Sequence, residues 1–370
     1  MRKNVENGGV LHIRKAKSRI IALIPARNES ETIKYAIQSI KRQTLPVNEI
    51  IVIANNCTDN TTEVSYKNGA DVIKMTKNKY MKAGALNYAL EKIIPWLNDR
   101  DYILIMDADT ILSKDLIEKC IQCLKQNPRA GAVSSIFTGR PSSSLLGTLQ
   151  IMEYWRYRRQ ILRFGCRAFV LSGTASVFSV KALKDVKAGR LNGFLPNYSN
   201  SYYDTYGRTE DNEMTFAILK LGYDCPVADA FSQTDVMEKT SKLIRQRERW
   251  YNGALINLKS YGRSLPWFMR WVYWKQQIGL FLSLIITLMI ITILITSVFF
   301  NSLQITPLWL ILLSVQSMER TATVWPLGWR ARIIALAVIP EMIYSIILLI
   351  IFGIGLFNFI VDKKGRWHAT

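Results

Sequence analysis

The chain has 370 residues, 49% of them hydrophobic, with 48 Lys plus Arg against 28 Asp plus Glu and a net charge of +20. Its two histidines, His12 and His368, nearly exclude a His-based metal site or a Ser-His-Asp triad, and its five scattered cysteines do not read as a disulfide framework. No zinc-finger spacing or RNA-binding signature accompanies the positive charge, which therefore points to anionic lipid or a phosphorylated substrate rather than to nucleic acid.

Residues 1–18 are basic and lack the apolar core of a signal peptide, so the following domain is expected to stay in the cytosol. Residues 19–25 (RIIALIP) read as a strand buried in a parallel sheet, with a helical pattern from about Ser30. Residues 49–54 predict a second strand, residues 61–68 a helix and Asp71–Met75 a third strand. Residues 82–94 predict a helix ending near Pro95, and Tyr102–Met106 a fourth strand running into Asp107. Strands alternating with helices imply an α/β domain, residues 19–264, with a mostly parallel sheet. Ligands bind such sheets at the carboxyl ends of the strands. Three polar clusters stand there: Arg27-Asn28-Glu29, Asn55-Asn56 with Asp59, and Asp107-Ala108-Asp109.

Cys120 and Cys123 form a C-x-x-C without a second pair or a nearby His, and on a helix they read as two buried small residues. Residues 154–159 (YWRYRR) are aromatic and basic, and the Gly/Tyr/Asn-rich loop at residues 189–207 is expected to be mobile, as a lid or acceptor gate. Residues 265–370 form the membrane region. Trp267, Trp271, Tyr273 and Trp274 with Arg270 and Lys275 make an interfacial segment before an uncharged run at 278–300. A shorter run at 302–318 contains Pro307, and a third at 342–360 precedes Lys363, Lys364 and Arg366. Two full spans with a re-entrant or interfacial middle segment keep the basic tail inside; three spans would put it outside. This predicts a multi-pass protein of the cell membrane with its catalytic domain cytosolic.

Four motifs can carry chemistry, and each has a plainer reading. Asp107 and Asp109 can hold a divalent cation against a diphosphate, or Asp109 can cap the next helix. Thr209-Glu210-Asp211 opens an apparent helix ending at Gly222; its acidic residues either favour the helix N-terminus or provide a general base. Gln246-Arg247-Glu248-Arg249-Trp250 is either a basic surface or a grip on a leaving pyrophosphate, with Trp250 a stacking face for a sugar ring. Lys82, beside Ala83 and Gly84, can reach a phosphate or sit on the surface.

In that order, on an α/β domain followed by apolar helices, these motifs resemble the processive family 2 glycosyltransferases, the synthases of cellulose, chitin, hyaluronan and poly-N-acetylglucosamine. The resemblance covers residues 19–260 in detail. It implies a GT-A (Rossmann-like) fold and inverting single-displacement transfer by a hexosyltransferase, with Asp211 as base and Glu210 beside it. Pro25, Ala26, Arg27 and Glu29 would form the first nucleotide loop, and Asn55, Asn56 and Asp59 the second. The family often has an acidic pair where this chain has Asn55-Asn56, with Asp59 or Asn56 as substitutes at the base. Lys82, Gln246, Arg247 and Arg249 would meet the diphosphate. Asp107 would contact nucleotide and metal, and Asp109 would hold Mg²⁺ or Mn²⁺. Gly173, Thr174 and Trp250 would lie at the acceptor. The implied partners are a nucleotide-sugar donor, a UDP-sugar first, a glycan or lipid-linked acceptor, and the bilayer. So small a membrane part would need a homo-oligomer to conduct a polymer. Transfer of a single sugar to a lipid-linked or protein acceptor is the alternative, and an inactive membrane scaffold of the same fold is a third.

Overall fold

A computed structural model describes residues 18–196, 199–207, 209–302 and 306–361; the basic segment at 1–17 and the tail with Lys363, Lys364 and Arg366 lie outside the described residues. The chain order is β1 (Ile20–Ala26), α1 (Ile33–Lys41), β2 (Glu49–Asn55), α2 (Thr61–Lys67), β3 (Asp71–Met75), α3 (Met81–Ile93), β4 (Tyr102–Met106), β5 (Ile111–Leu112), α4 (Leu116–Gln126), β6 (Ala132–Gly139), α5 (Leu145–Arg163), β7 (Ala175–Ser179), α6 (Val180–Leu191), α7 (Glu210–Lys220), β8 (Val227–Thr234) and α8 (Thr240–Tyr261). The C-terminal part adds α9 (Trp267–Phe299), α10 (Pro307–Thr323), α11 (Trp329–Ala337) and α12 (Ile339–Val361).

The eight strands form one sheet in the order β3-β2-β1-β4-β7-β6-β8-β5. The half made of β3, β2, β1 and β4 is parallel, as expected. The other half is mixed: β7 runs antiparallel to β4 and β6, β8 is parallel to β6, and β5 is antiparallel to β8. Both faces of β1 are buried because the strand is apolar throughout, and only Pro25 is part-exposed. Ile21 and Leu23 join one core layer, while Ile20, Ala22 and Ile24 join the other. Helix α1 buries Ile33, Ala36, Ile37 and Ile40, the spacing that puts one apolar stripe on a helix.

Several expectations need correction. Asp109 leads into β5 and not into a helix; α4 begins at Leu116 after Asp115, so the helix-capping reading of Asp109 fails. The described part of the 189–207 loop is pinned rather than mobile. Arg190, 0% exposed, donates to the Tyr202 and Pro196 carbonyls, and its Nη2 donates to both Glu213 carboxylate oxygens at 2.9 and 2.7 Å. Asn87 of α3 exchanges two hydrogen bonds with the Tyr203 backbone. Residues 197 and 198 of that loop lie outside the described residues. Breaking such a buried pair costs about 3–5 kcal/mol, so the segment is structural.

The aromatic segment from Trp267 is not a separate interfacial helix. It is the first part of α9, a continuous 33-residue helix. At about 1.5 Å per residue it is long enough to carry both an interfacial stretch and a membrane-thick one. Among the described residues α9 and α12 are the two helices long and apolar enough to cross a membrane. The middle helix α10 starts at Pro307 and includes Glu319 and Arg320, so it lies five residues later than the run at 302–318. Helix α12 runs along α8: Asn252 donates to the Gly355 carbonyl at 3.2 Å, and Asn358 donates to Glu248 at 2.7 Å. A Cβ at Gly355 would already stand 3.4 Å from that of Tyr251, which is why the two backbones can approach there.

Candidate active site

The end of β4 and the start of β7 meet the N-termini of α3 and α7 at one point. Lys82, in the first turn of α3, donates to Asp107 Oδ1 at 2.6 Å, and its ammonium lies 3.3 Å from Glu210. Gly173 forms the floor between them. A Cβ there would come within 3.0 Å of Asp211 Oδ2, 3.2 Å of Lys82 Nζ and 3.6 Å of Asp107 Oδ2. Helix α7 reaches this point because α8 has Gly253 beneath it, where any Cβ would overlap the Thr209 side chain at 2.5 Å. Asn257 of α8 holds Thr209 Oγ1 at 3.1 Å.

The electrostatics separate the two acidic residues of α7. Burial, with the neighbouring Glu210 charge, pushes the Asp211 carboxyl up to about 6. Burial acts on Glu210 too, but the Lys82 and Arg249 cations outweigh it and hold Glu210 below the usual carboxylate range. Asp107 and Asp109 are both raised, first by burial; Asp109 also feels the charge of Asp235. Burial favours neutral Lys82, yet Asp107, Glu210 and Asp211 together keep it cationic. The result is a proton acceptor beside a fixed ion pair, next to carboxylates that repel one another. Such a set suits a hard divalent cation.

These residues border a cavity of about 750 Å³. Lys82, Asp107, Asp109, Gly173, Thr174 and Asp211 line its inner end, and Gln246, Arg247, Arg249 and Trp250 of α8 line one side. Thr174 Oγ1 is also bonded to Ser172 and to Ser232, at 2.8 Å for the latter. Arg247 is 4% exposed, pairs with Glu153 at 2.7 Å and lies over the Trp250 ring at 4.4 Å. Glu210 is buried beside Lys82 and is not on the cavity wall.

The other sequence-derived positions, Pro25, Ala26, Arg27, Glu29, Asn55, Asn56 and Asp59, stand at the ends of β1 and β2 and are not among the cavity-lining residues; Glu29, raised first by burial, still feels the charges of Asp109 and Asp107. There Asn55 donates to the Met81 carbonyl at 3.1 Å and accepts from Asn78 at 2.8 Å. Asn56, with φ +53, exchanges two bonds with the Asn78 backbone. Asp59 accepts from the Ser30 and Thr61 amides, and Glu29 from the Thr32 hydroxyl. Arg27 is exposed, with Nη1 3.5 Å from Met81 Sδ.

The residues 21–187 match glycosyl transferase family 2. Over that stretch, 167 of the 370 residues, the chain is similar to the family 2 glycosyltransferases. It is 30% identical over 240 residues to the poly-β-1,6-N-acetyl-D-glucosamine synthase of Staphylococcus epidermidis, covering 63% of this chain and 53% of that protein. The Staphylococcus aureus synthase of the same name is 30% identical over 245 residues, covering 64% and 54%. The chain therefore spans about half the length of these relatives. The mannosyltransferase PcManGT of Pyrobaculum calidifontis, solved with GDP-Man and Mn²⁺, superposes with a TM-score of 0.63 at 16% identity over 95% of this chain and 89% of that one. That likeness shows the GT-A fold.

Five residues that line the cavity were given no role in the sequence reading. Tyr157 of α5 lines it, and burial together with the Asp211 charge holds its phenol protonated. Glu153 and Arg156 line it from the same helix. The residues 153, 156, 157 and 160 follow helical spacing, a signal present within the aromatic-basic stretch. Asp235, after β8, and Gln277, on α9, had no motif to mark them.

Proposed function

We propose that the domain transfers a sugar from a nucleotide sugar, a UDP-sugar first among the candidates, to a hydroxyl of a growing glycan at the cytosolic membrane face, with inversion at the anomeric carbon. The observation that carries this reading is Asp211: a cavity-lining carboxylate whose proton affinity is raised to about 6, close to neutral working pH. Its carboxylate takes the proton of the acceptor hydroxyl. That oxygen bonds to the anomeric carbon as the bond to the diphosphate oxygen breaks, and the electron pair leaves with the nucleotide diphosphate. Lys82 and Arg249 supply positive charge beside the leaving group. Trp250 offers a flat face to the sugar, and Gly173 leaves room for it.

Asp107 and Asp109 would hold Mg²⁺ or Mn²⁺, which neutralises the diphosphate charge when bound. Among the described residues no group of three His, Cys, Asp or Glu side chains is set to hold an ion unaided. The donor's own phosphates would then complete the coordination, so metal and donor would bind together. The patch around Arg27, Glu29, Asn55, Asn56 and Asp59 would receive the nucleotide. The similarity to the staphylococcal synthases supports a polysaccharide product, and α9 and α12 support a membrane location.

The test is nucleotide release by the detergent-purified chain with Mn²⁺ across UDP-, GDP- and dTDP-sugars. Selective turnover of one donor, lost in Asp211→Asn, is expected. Turnover unchanged in Asp211→Asn would remove the assignment of the base.

A further inference from the structure

Helix α8 brings two arginines to the cavity, and their surroundings differ. The charge of Arg249 reaches Glu210 and Asp211 at the inner end. Arg247 is 4% exposed, and its charge is taken up locally. Its Nη2 donates to Glu153 Oε2 at 2.7 Å, the same oxygen that accepts from the Tyr344 hydroxyl at 2.6 Å. A buried guanidinium already paired with a carboxylate has little charge left for a second anion.

What Arg247 meets besides Glu153 is aromatic. Positions 247 and 250 are three apart on α8 and share a helix face. The Arg247 guanidinium carbon lies over the Trp250 ring, 4.4 Å from its centre, and over the Tyr154 ring at 5.7 Å. A cation within about 6 Å of a ring centre is attracted to the ring face, and an indole holds it best. Tyr154 in turn meets Phe137 of β6 edge to face, with ring centres 4.9 Å apart. Phe137, Tyr154, Arg247 and Trp250 therefore form a column from the central sheet, through α5, to the cavity wall. With one face of Trp250 covered by Arg247, the opposite face is the one left for a ligand.

We infer that Arg247 is a positioning residue: it fixes the Trp250 ring, Glu153 and Tyr344 hold its guanidinium in place, and it does not itself grip the donor diphosphate. The diphosphate contact that the resemblance implied for Arg247 is the rival role. One observation favours the rival: Arg247 Nε is buried without a hydrogen-bond partner, and a phosphate oxygen could supply one. The consequence for sugar transfer rests on the transfer reading above, whereas the hold on Trp250 does not.

The experiment labels the ten tryptophans of the full chain with 5-fluorotryptophan and records fluorine NMR in detergent, with Trp250→Phe assigning the Trp250 resonance. Arg247→Lys keeps a cation opposite Glu153 but removes the flat guanidinium. It is expected to shift or broaden the Trp250 resonance and leave the others nearly in place. Glu153→Gln, which takes away the partner of Arg247, should move the same resonance with no donor present. Arg247→Lys should also slow nucleotide release about tenfold, as a misplaced contact at a reacting centre does. Donor stabilisation with Mn²⁺, followed by thermal shift, should persist. Placed on Trp250→Ala, Arg247→Lys should slow release no further, because residues that act through one contact are not additive. A Trp250 resonance unmoved in both Arg247→Lys and Glu153→Gln would overturn the proposal. Donor stabilisation lost in Arg247→Lys would overturn it in favour of the diphosphate contact, and so would additive losses in the double variant. Wild-type protein that releases no nucleotide from any donor would count against the transfer reading, and the resonance would still decide whether Arg247 holds Trp250.

Discussion

The two ends of the active-site region are built on opposite principles. At the β1–β2 end, Asn55, Asn56 and Asn78 bond to one another and to the Met81 carbonyl, and Asp59 caps two backbone amides. Side-chain hydrogen-bonding capacity there is spent on holding two loops whose Asn28 and Asn56 sit at positive φ. At the cavity end, Asn212, Gln246, Arg247 and Gln277 each bury a polar atom without a partner. One end is finished before any ligand arrives; the other is left open for one. Substitutions at the first should therefore act through stability and donor affinity, and substitutions at the second through turnover.

The largest effect that sharpens this contrast belongs to Asp211. Asp211→Asn should lower kcat by about two to four orders of magnitude with donor affinity retained, as loss of a general base does. Asp109→Ala comes next: a loss on the order of a hundredfold, with Mn²⁺-dependent donor stabilisation gone from thermal shift. Full activity of that variant at low Mn²⁺ would break the metal assignment. Gly173→Ala should follow, at roughly ten- to hundredfold in kcat, because the new methyl crowds Asp211 and Lys82 and small misplacements at a reacting centre are expensive. Its unfolding temperature should barely move.

The pH profile carries a signed expectation. Asp211 is raised to about 6 by burial and by Glu210, so it is ionised above that value and protonated below it. Only the ionised form accepts a proton. Hence kcat/KM should fall about tenfold per pH unit on the acid side of that value. A profile flat down to pH 4 would mean that another group takes the proton.

The contrast also explains what could be read from the chain alone. Strands β1 to β4 fell within a residue or so of expectation: β1, β2 and β4 are largely apolar runs, and β3 alternates apolar residues with Asp71 and Lys74 between turn residues. Strands β5 to β8 were missed. Strand β5 has two residues, and the others carry Ser and Thr in place of aliphatics: Ser135 and Ser232 are buried and satisfied across the sheet, and Ser176 donates to the Ser172 carbonyl just before β7. Periodicity sees such strands as loops. Lys82, Asp107 and Asp211 do converge, with Gly173 between them, and the order of Asp59, Lys82, Asp107-Ala108-Asp109, Thr209–Asp211 and Gln246–Trp250 in the chain was enough to name the family resemblance. The far wall was not legible, because pairs such as Arg156 with Glu341 join residues 185 apart and leave no local pattern.

The smallest predicted effect is the one best able to break the comparison. Asn56 sits at φ +53, where glycine is unstrained, and its amide makes two bonds to the Asn78 backbone. Asn56→Gly relieves the first and forfeits the second, so the net change in stability should stay within about 1 kcal/mol. For a domain of this size that corresponds to roughly 2–4 °C in unfolding temperature. Donor KM should rise by a small factor as the loop loosens, with kcat unchanged. If kcat instead fell tenfold while KM and the unfolding temperature held, Asn56 would be acting on the transition state, and the end that looks finished would be part of the chemistry.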